Sequence, residues 1–87
     1  MTLNKTFRAL SDPTRRKILE LLKKQDMAAG EIGKHFDITL PSLSHHLNTL
    51  KQAELVTSQR RGQEIIYSLN LSVFEEAAKA LLAFFKK

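Results

Sequence analysis

The chain has 87 residues, with 14 Lys or Arg against 9 Asp or Glu, so its formal net charge is +5 and its pI lies near 9.8. A chain this short forms one small domain, here residues 1–87, which excludes large multidomain enzymes and favours stabilisation by oligomerisation. It contains no cysteine, which excludes disulfides, thiolate metal sites and catalytic thiols. No apolar run approaches the roughly 18 residues of a membrane span, and the N-terminus lacks a signal peptide's apolar block, so we expect a cytoplasmic protein.

The charge is distributed unevenly along the chain. Residues 1–24 carry a net charge of +5, residues 25–54 of −2 and residues 55–87 of +2. The positive balance favours a polyanionic partner. No acidic residue occurs between Asp37 and Glu54, so this segment carries no charge that repels a phosphate backbone.

Apolar spacing and a capping residue predict two helices at the start of the chain. Leu3, Phe7 and Leu10 recur at i, i+4 and i+7, which predicts a short first helix. Asp12 precedes a proline and is a typical N-cap, so a second helix is expected over about residues 13–24.

Two further helices follow, joined by a tight connection. The third begins at Ala28, without a capping side chain, and is marked by Ile32 and Phe36. The fourth is capped by Thr39 and runs to about Ala53, because leucines repeat there at helical spacing. Those leucines are Leu43, Leu47 and Leu50.

A β-hairpin and a last helix complete the predicted elements. The strands cover residues 55–60 and 65–69, and Arg61 with Gly62 supplies the turn. Ser72, with a glutamate three residues on, forms a capping box that predicts a fifth helix running to the C-terminus.

The fifth helix is apolar over most of its circumference, which is more than one domain face requires. We therefore expect a partner helix to cover the remainder. Attachment to a membrane surface is the alternative use of such a helix, and the acidic side chains of Glu75 and Glu76 argue against it.

This order of elements, mostly helical with a β-hairpin wing, is that of a winged helix-turn-helix, with the fourth helix as recognition helix. When Leu43 faces inward, steps of 100° place His46 on the buried side and leave an uncharged outward face that fits the major groove. The residues predicted to contact DNA from this helix and its cap are Thr39, Pro41, Ser42, Ser44, His45 and Asn48. For Ser42 and Ser44, hydrogen bonding to their own backbone remains an alternative.

Basic residues outside the recognition helix are candidates for phosphate contacts. Arg60, Arg61 and Gly62 at the wing tip are predicted to contact a minor groove or phosphates. Arg15 and Arg16 on the second helix are candidates to anchor the backbone, and a plain solvated helix face explains them equally well.

The histidine pair does not predict catalysis or metal binding. His45 and His46 diverge by about 100° on a helix and cannot converge on one ion. Ser42 and His46 stand at i and i+4, but no carboxylate nearby in sequence orients the imidazole and no oxyanion-hole motif is present. We therefore expect neither an enzyme nor a bound cofactor or metal.

Several segments of the chain, taken in this order and spacing, form a specific pattern. They are Ser11–Leu19 (SDPTRRKIL), Gly30–Ile32 (GEI), Ser42–Leu47 (SLSHHL), Leu50–Val56 (LKQAELV) and Arg61–Gly62 before Tyr67–Leu69 (YSL). Together they resemble the ArsR family of bacterial repressors, and within it the SdpR-like branch. The resemblance covers roughly residues 8–70.

The resemblance implies a homodimeric repressor that binds a double-stranded DNA operator with inverted repeats, and in which the first and last helices form the subunit interface. The residues expected at that interface are Leu3, Phe7, Leu10, Val73, Phe74, Ala77, Leu81, Phe84 and Phe85. The family's metal sensors use cysteines or Asp and His pairs on the last helix. This chain has neither ligand set, so no metal sensing is expected.

Regulation of its own gene is a further expectation of the resemblance. Release from DNA by a sequestering protein partner, by a small molecule or by a change in the protein's own level stays open. A protein-interaction module is the alternative function, because winged helices also bind proteins and residues 25–54 are not strongly basic.

Overall fold

The computed structural model of this chain describes residues 3–86, except for the side chain of Leu3. In chain order the elements are α1 (Leu3–Leu10), α2 (Pro13–Lys24), β1 (Met27–Ala28), α3 (Ala29–Gly33), α4 (Leu40–Gln52), β2 (Val56–Arg61), β3 (Glu64–Leu69) and α5 (Leu71–Phe85). The predicted order of five helices and a hairpin is confirmed. The two-residue strand β1 was not predicted, and it pairs with β3 as a third strand.

Both N-caps predicted in the first half of the chain are confirmed. The side chain of Asp12 accepts a hydrogen bond from the Arg15 N–H at 3.0 Å, ahead of the proline that starts α2. Thr39 Oγ1 accepts from the Ser42 N–H at 3.2 Å and starts α4. Each cap satisfies an amide that has no partner within its helix, and such caps contribute about 1 kcal/mol.

The third helix is shorter than its apolar pattern predicts. It covers Ala29–Gly33, and the next three amides bond to carbonyls three residues back, so Phe36 lies outside the helix. Ala28 is the N-cap residue of α3, as predicted, and it is also the second residue of β1. Its N–H donates to Glu31 Oε1 at 3.0 Å, which satisfies an amide at the helix start without a Ser or Thr cap.

The fifth helix begins at Leu71, and the capping box predicted at Ser72 is wrong. The N–H of Asn70, the residue before the helix, donates to the Leu55 carbonyl at 3.0 Å, and the Asn70 carbonyl accepts from the Val73 N–H at 3.2 Å. Asn70 makes no side-chain cap bond. The long-range bond at the base of the wing therefore fixes the start of α5 and leaves Ser72 inside its first turn.

The core lies where α2, α3, α4 and the base of the wing meet. Its most deeply buried side chains are Ile18, Ile32, Leu50, Leu55 and Val56. The crossing of α3 and α4 is close, because Leu43 Cδ2 lies 3.1 Å from the position that a Cβ on Gly33 would occupy. A glycine at this point allows the recognition helix to pack directly on α3.

The wing is the antiparallel pair β2 and β3, and its turn is shorter than the four residues, 61–64, that the predicted strands left between them. Arg61 pairs with Glu64, so only Gly62 and Gln63 lie in the turn. The prediction of Gly62 as a turn residue is confirmed. Gly62 has φ +63°, as expected for a glycine in the first central position of a type II′ turn. Arg61 is consequently the last residue of a strand rather than a turn residue.

The recognition helix ends in a Schellman motif that directs the chain into β2. The Leu55 N–H donates to the Leu50 carbonyl at 3.0 Å and the Glu54 N–H to the Lys51 carbonyl at 2.9 Å. Glu54 has φ +61°, in the left-handed region where glycine is usual and where other residues cost roughly 1–2 kcal/mol.

Exchanging residue types at the two positive-φ positions is expected to change stability in opposite directions. Glu54→Gly removes a side chain from a backbone in the left-handed region and should raise the free energy of unfolding by about 0.5–1 kcal/mol. Gly62→Ala adds a side chain to such a backbone and should lower the free energy of unfolding by about 1 kcal/mol. No steric clash contributes, because nothing lies within 4 Å of the added Cβ. Urea denaturation measures both, and shifts of the same sign would contradict the assignment.

Candidate nucleic-acid interface

The outward face of α4 is uncharged up to Thr49, and after Leu40 and Pro41 in its first turn it is polar. The exposed residues among those predicted to contact DNA from this region are Thr39, Pro41, Ser44, His45 and Asn48, and Ser42 is half-buried. Their hydroxyl, imidazole and amide groups both donate to and accept from base edges. The side chain of His46 is only 14% exposed, so the predicted division between outward and inward histidines is confirmed.

The two arginines at the wing tip lie on opposite faces of the hairpin, because neighbouring strand residues alternate in direction. Arg60 pairs with Ile65 and Arg61 with Glu64. Ile65 shares its face with Tyr67, and both line a cavity against α4. Arg60 therefore lies on the face that meets the recognition helix, and Arg61 lies on the other face beside a carboxylate.

An open cavity of about 370 Å³ separates the wing from the recognition helix. Its wall on α4 includes Leu40, Ser44, Asn48 and Lys51, and its wall on the wing includes Tyr67. At the tip of the wing, Arg60 Nε donates to the Gly62 carbonyl at 3.2 Å. The recognition helix and the wing thus flank a concave surface with a guanidinium at its outer end.

The sequence predicted Arg15 as a phosphate anchor or a solvated residue, but its side chain lies inside the fold, 9% exposed. Its Nε donates to the Ala9 carbonyl at 2.8 Å and its Nη2 to the Arg8 carbonyl at 3.0 Å. Its Nη1 lies 3.1 Å from His46 Nδ1. One guanidinium therefore joins the end of α1, the first turn of α2 and the recognition helix.

The acceptor in the contact between Arg15 and His46 follows from chemistry. A guanidinium only donates hydrogen bonds, so Nδ1 of His46 is the acceptor in this contact. Asp12 Oδ2 lies 3.9 Å from the same nitrogen. Desolvation acts to raise the pKa of Asp12, but the hydrogen bond from the Arg15 N–H and the positive charge of Arg15 act against it, and the pKa falls below its ordinary 3.8.

Arg16 differs from its neighbour in exposure. It lies on the surface, where its Nη1 donates to the Leu10 carbonyl at 2.7 Å. Its guanidinium stays beside the end of α1 and is open to solvent, so Arg16 remains a candidate for a phosphate contact.

The predicted subunit surface divides into a buried and an exposed part. On α5, Val73 and Ala77 are buried against their own domain, so contacts within the chain already occupy them. The same helical stripe continues to Leu81 and Phe84, four and seven residues after Ala77, and there it is exposed, Phe84 to 81%. Phe85 is 78% exposed, and its ring meets that of Phe84 edge-on at 5.5 Å.

The remaining residues of that surface are less exposed. Phe7 on α1 is exposed, and Leu10 and Phe74 are half-buried. The prediction for the Leu3 side chain lies outside the described side chains.

The family model for bacterial regulatory proteins of the arsR family matches residues 12–58, which is more than half of the chain. The chain belongs to the ArsR family. The matched segment runs from the cap of α2 through the recognition helix into the wing, and the resemblance predicted from the sequence is confirmed.

Known proteins of this family are similar over most of the chain. The transcriptional repressor SdpR of Bacillus subtilis is 55% identical over 85 residues, which cover 98% of this chain and 94% of that protein. The arsenical resistance operon repressor of Staphylococcus xylosus is 40% identical over 68 residues, covering 78% of this chain and 65% of that protein.

Solved structures of ArsR-family regulators have the same fold. The ArsR-like transcriptional regulator from Rhodococcus sp. RHA1 superposes with a TM-score of 0.85 at 32% identity, over 94% of this chain and 77% of that one. NolR from Sinorhizobium fredii superposes with a TM-score of 0.75 at 31% identity, over 95% of this chain and 83% of that one. The winged helix-turn-helix predicted from the order of elements is confirmed.

As a member of the ArsR family, the chain is a DNA-binding transcriptional repressor and not an enzyme. Among residues 3–86, no group of three or more His, Asp or Glu side chains is placed to hold a metal ion. No helix within this range is both long enough and apolar enough to cross a bilayer.

Two features of this ArsR-family surface were missed in the sequence. The first is the internal bond from Arg15 to α1, whose acceptors are backbone carbonyls and leave no mark in the side-chain pattern. The second is Leu40, which is 74% exposed at the start of the recognition helix. Helical periodicity gave no signal for its exposure, because Leu40, Leu43 and Leu47 are spaced at i, i+3 and i+7 and share one side of the helix.

Replacing the two adjacent arginines is expected to separate the buried residue from the exposed one. Arg15→Met removes a buried donor from two carbonyls and an imidazole, and should lower the free energy of unfolding by about 2–3 kcal/mol. Arg16→Met, the matched control at an exposed position, should change it by less than about 0.5 kcal/mol. Chemical denaturation measures both values, and equal small losses would show that the buried bonds contribute little.

Proposed function

We propose that this repressor binds, as a two-fold homodimer, an operator with inverted repeats, and represses by occluding RNA polymerase. The observation that carries the proposal is the concave surface between a recognition helix that carries no formal charge before Lys51 in its last turn and the face of the wing that bears Arg60. Neutral polar groups on α4 suit base edges, and a guanidinium at the outer end suits a phosphate or a minor groove.

Base contacts are assigned to the exposed part of the recognition helix. Ser44, His45 and Asn48 supply hydroxyl, imidazole and amide groups to the major groove, while Pro41 contributes close van der Waals contact. Thr39 and Ser42 form the helix start, where backbone N–H groups and the helix dipole favour a phosphate. Specificity is thereby assigned to groups that carry no charge.

Phosphate contacts are assigned to the wing and the start of α2. Arg60 shares a face with the recognition helix and is proposed to make the stronger contact. Arg61, with Gly62 beside it, contributes less because Glu64 lies directly across the strand pair. Arg16 is the candidate on α2, and Arg15 is left out because its side chain is buried.

The homodimer is proposed from the exposed apolar end of α5. Leu81, Phe84 and Phe85 continue a face that is already buried at Ala77, and large aromatic side chains in water are unfavourable. A second copy of α5, together with Phe7 of α1, covers them. Two-fold symmetry then places two recognition helices in major grooves about 34–36 Å apart.

Two regulatory aspects belong to the same proposal. SdpR of Bacillus subtilis, to which the chain is 55% identical, is a transcriptional repressor by name, and the operator proposed here includes DNA upstream of the chain's own gene. Release by a protein that sequesters the dimer is proposed as the relief mechanism. Leu71 and Leu82 on α5 are exposed and lie outside the residues assigned to the dimer contact, and exposed apolar groups favour a protein contact over a small polar ligand.

DNA recognition is tested by selecting binding sites from a random duplex library and then measuring fluorescence anisotropy on the recovered and scrambled duplexes. We expect a preference of about a thousandfold or more, with a steep salt dependence. His45→Ala should reduce that preference by about tenfold or more, because the base contact disappears. His35→Ala is the matched control, since His35 is exposed outside the proposed interface, and it should leave the preference unchanged.

The same titration separates the wing from the recognition helix. Arg60→Ala should weaken binding to both duplexes and reduce the salt slope by about one for each subunit, and Arg61→Ala should do so less. If His45→Ala weakens binding to both duplexes equally, His45 does not contact a base. Binding that is weak and insensitive to salt on every duplex would favour a protein-interaction module instead.

The dimer is tested by sedimentation equilibrium at micromolar concentration. The wild type is expected to be dimeric, and Phe84→Glu is expected to be monomeric because it buries a charge in the apolar contact. Lys79→Glu is the control, because it makes a larger change of charge at an exposed position of the same helix. This variant should stay dimeric. A monomeric wild type would contradict the proposed dimer.

A further inference from the structure

Leu40 is the most exposed large aliphatic side chain in the described part of the chain. It is 74% exposed, and only Phe84 and Phe85 exceed it among the large hydrophobic residues described. Those two aromatic residues lie at the end of α5, whereas Leu40 is the first residue of the recognition helix. An apolar group is thus presented to solvent at the start of the helix that is proposed to contact bases.

The fold does not require a leucine at this position. The core is supplied by the buried stripe of α4, and Thr39 already caps the helix. The first residue of a helix tolerates most side chains, because its amide needs no partner within the helix. Ile38, two residues earlier, is also exposed. Apolar side chains therefore lie at the N-terminal end of the recognition helix, before its polar outward face.

Leu40 is continuous with the proposed base contacts. Leu40, Ser44 and Asn48 are spaced at i, i+4 and i+8, which places them along one side of the helix. All three line the cavity between α4 and the wing, opposite Ile65 and Tyr67. The leucine therefore lies at one end of the row whose other members carry hydrogen-bonding groups.

The chemistry of the major groove identifies the group that such a side chain recognises. Of the four bases, only thymine presents an apolar group there, its 5-methyl. Cytosine has only a hydrogen at C5 and presents an amino donor on the neighbouring C4, which a leucine would leave without an acceptor.

We propose that Leu40 contacts the 5-methyl group of one thymine in each operator half-site and thereby specifies thymine at that position. This inference rests on the proposed function, because it assumes that the recognition helix lies in the major groove of a specific site. It adds a specificity residue and the chemical identity of one base to that function.

The test uses a duplex recovered by the wild-type protein from a random library. Each thymine is replaced in turn by deoxyuridine, which keeps every hydrogen-bonding group and lacks only the methyl. At one position in each half-site, we expect the affinity of the wild type to fall about fourfold, and about fifteenfold when both half-sites are changed, as for one buried methyl per contact. Leu40→Ala should bind the thymine and deoxyuridine duplexes equally.

Two controls exclude indirect effects. Leu71→Ala also removes an exposed leucine from the first position of a helix, and it should keep the full sensitivity to deoxyuridine. The unfolding midpoint of Leu40→Ala should match that of the wild type, because the residue is not part of the core.

The outcomes distinguish this inference from the function on which it rests. Recovery of no preferred sequence would overturn both. Recovery of a site at which no thymine can be replaced with loss of affinity would overturn the role of Leu40 and leave the DNA-binding function intact. The same result follows if Leu40→Ala retains the fourfold sensitivity of the wild type.

Discussion

The guanidinium of Arg15 is the group on which the placement of the recognition helix depends. It donates to the carbonyls of Arg8 and Ala9 in the last turn of α1, where the helix dipole favours a cation. It also donates to His46 on α4, and Asp12 Oδ2 lies 3.9 Å from the same His46 nitrogen. Because these bonds are made by one rigid side chain, a shift of α1 against α2 changes the environment of α4.

In the proposed interface, charged side chains are assigned to affinity for DNA and uncharged side chains to sequence specificity. Phosphate contacts set the affinity and its dependence on salt, while contacts to base edges set the sequence preference. Up to Thr49 the outward face of α4 carries neutral polar groups and the exposed Leu40, and Lys51 follows in the last turn. Arg16 lies on α2 and Arg60 at the tip of the wing. The acidic residues of the helix-turn-helix lie before and after α4, so they do not interrupt the recognition face.

Local signals in the sequence predicted the elements whose ends are fixed locally. The caps at Asp12 and Thr39 bond to amides three residues away, and both helices begin where the sequence predicts. The start of α5 and the role of Arg15 depend on bonds to distant backbone carbonyls, which no pattern of neighbouring residues encodes. The wrong prediction at Ser72 has the same cause. The bond between Asn70 and Leu55 fixes the start of α5 before Ser72, so Ser72 lies inside the helix and does not cap it.

The surface of α4 was predictable because helical periodicity fixes which side chains face outward. The wing was predictable only in outline, since both strands run one residue further into the turn than predicted and the faces of the strands depend on packing against α4. That packing decides which arginine lies beside the recognition helix. Sequence alone treated Arg60 and Arg61 as equivalent, whereas the register gives them different neighbours.

The α5 helix links stability to assembly in this chain. Its first half is anchored in the core by Val73 and Ala77, while its second half presents Leu81, Phe84 and Phe85 to solvent. A helical segment without tertiary contacts is marginal in water, because helix propensity alone offsets little of the cost of ordering the backbone. Covering this half with a second copy would therefore stabilise the helix itself. It would also fix the distance between two recognition helices, because Asn70, the residue before α5, is bonded to the base of the wing.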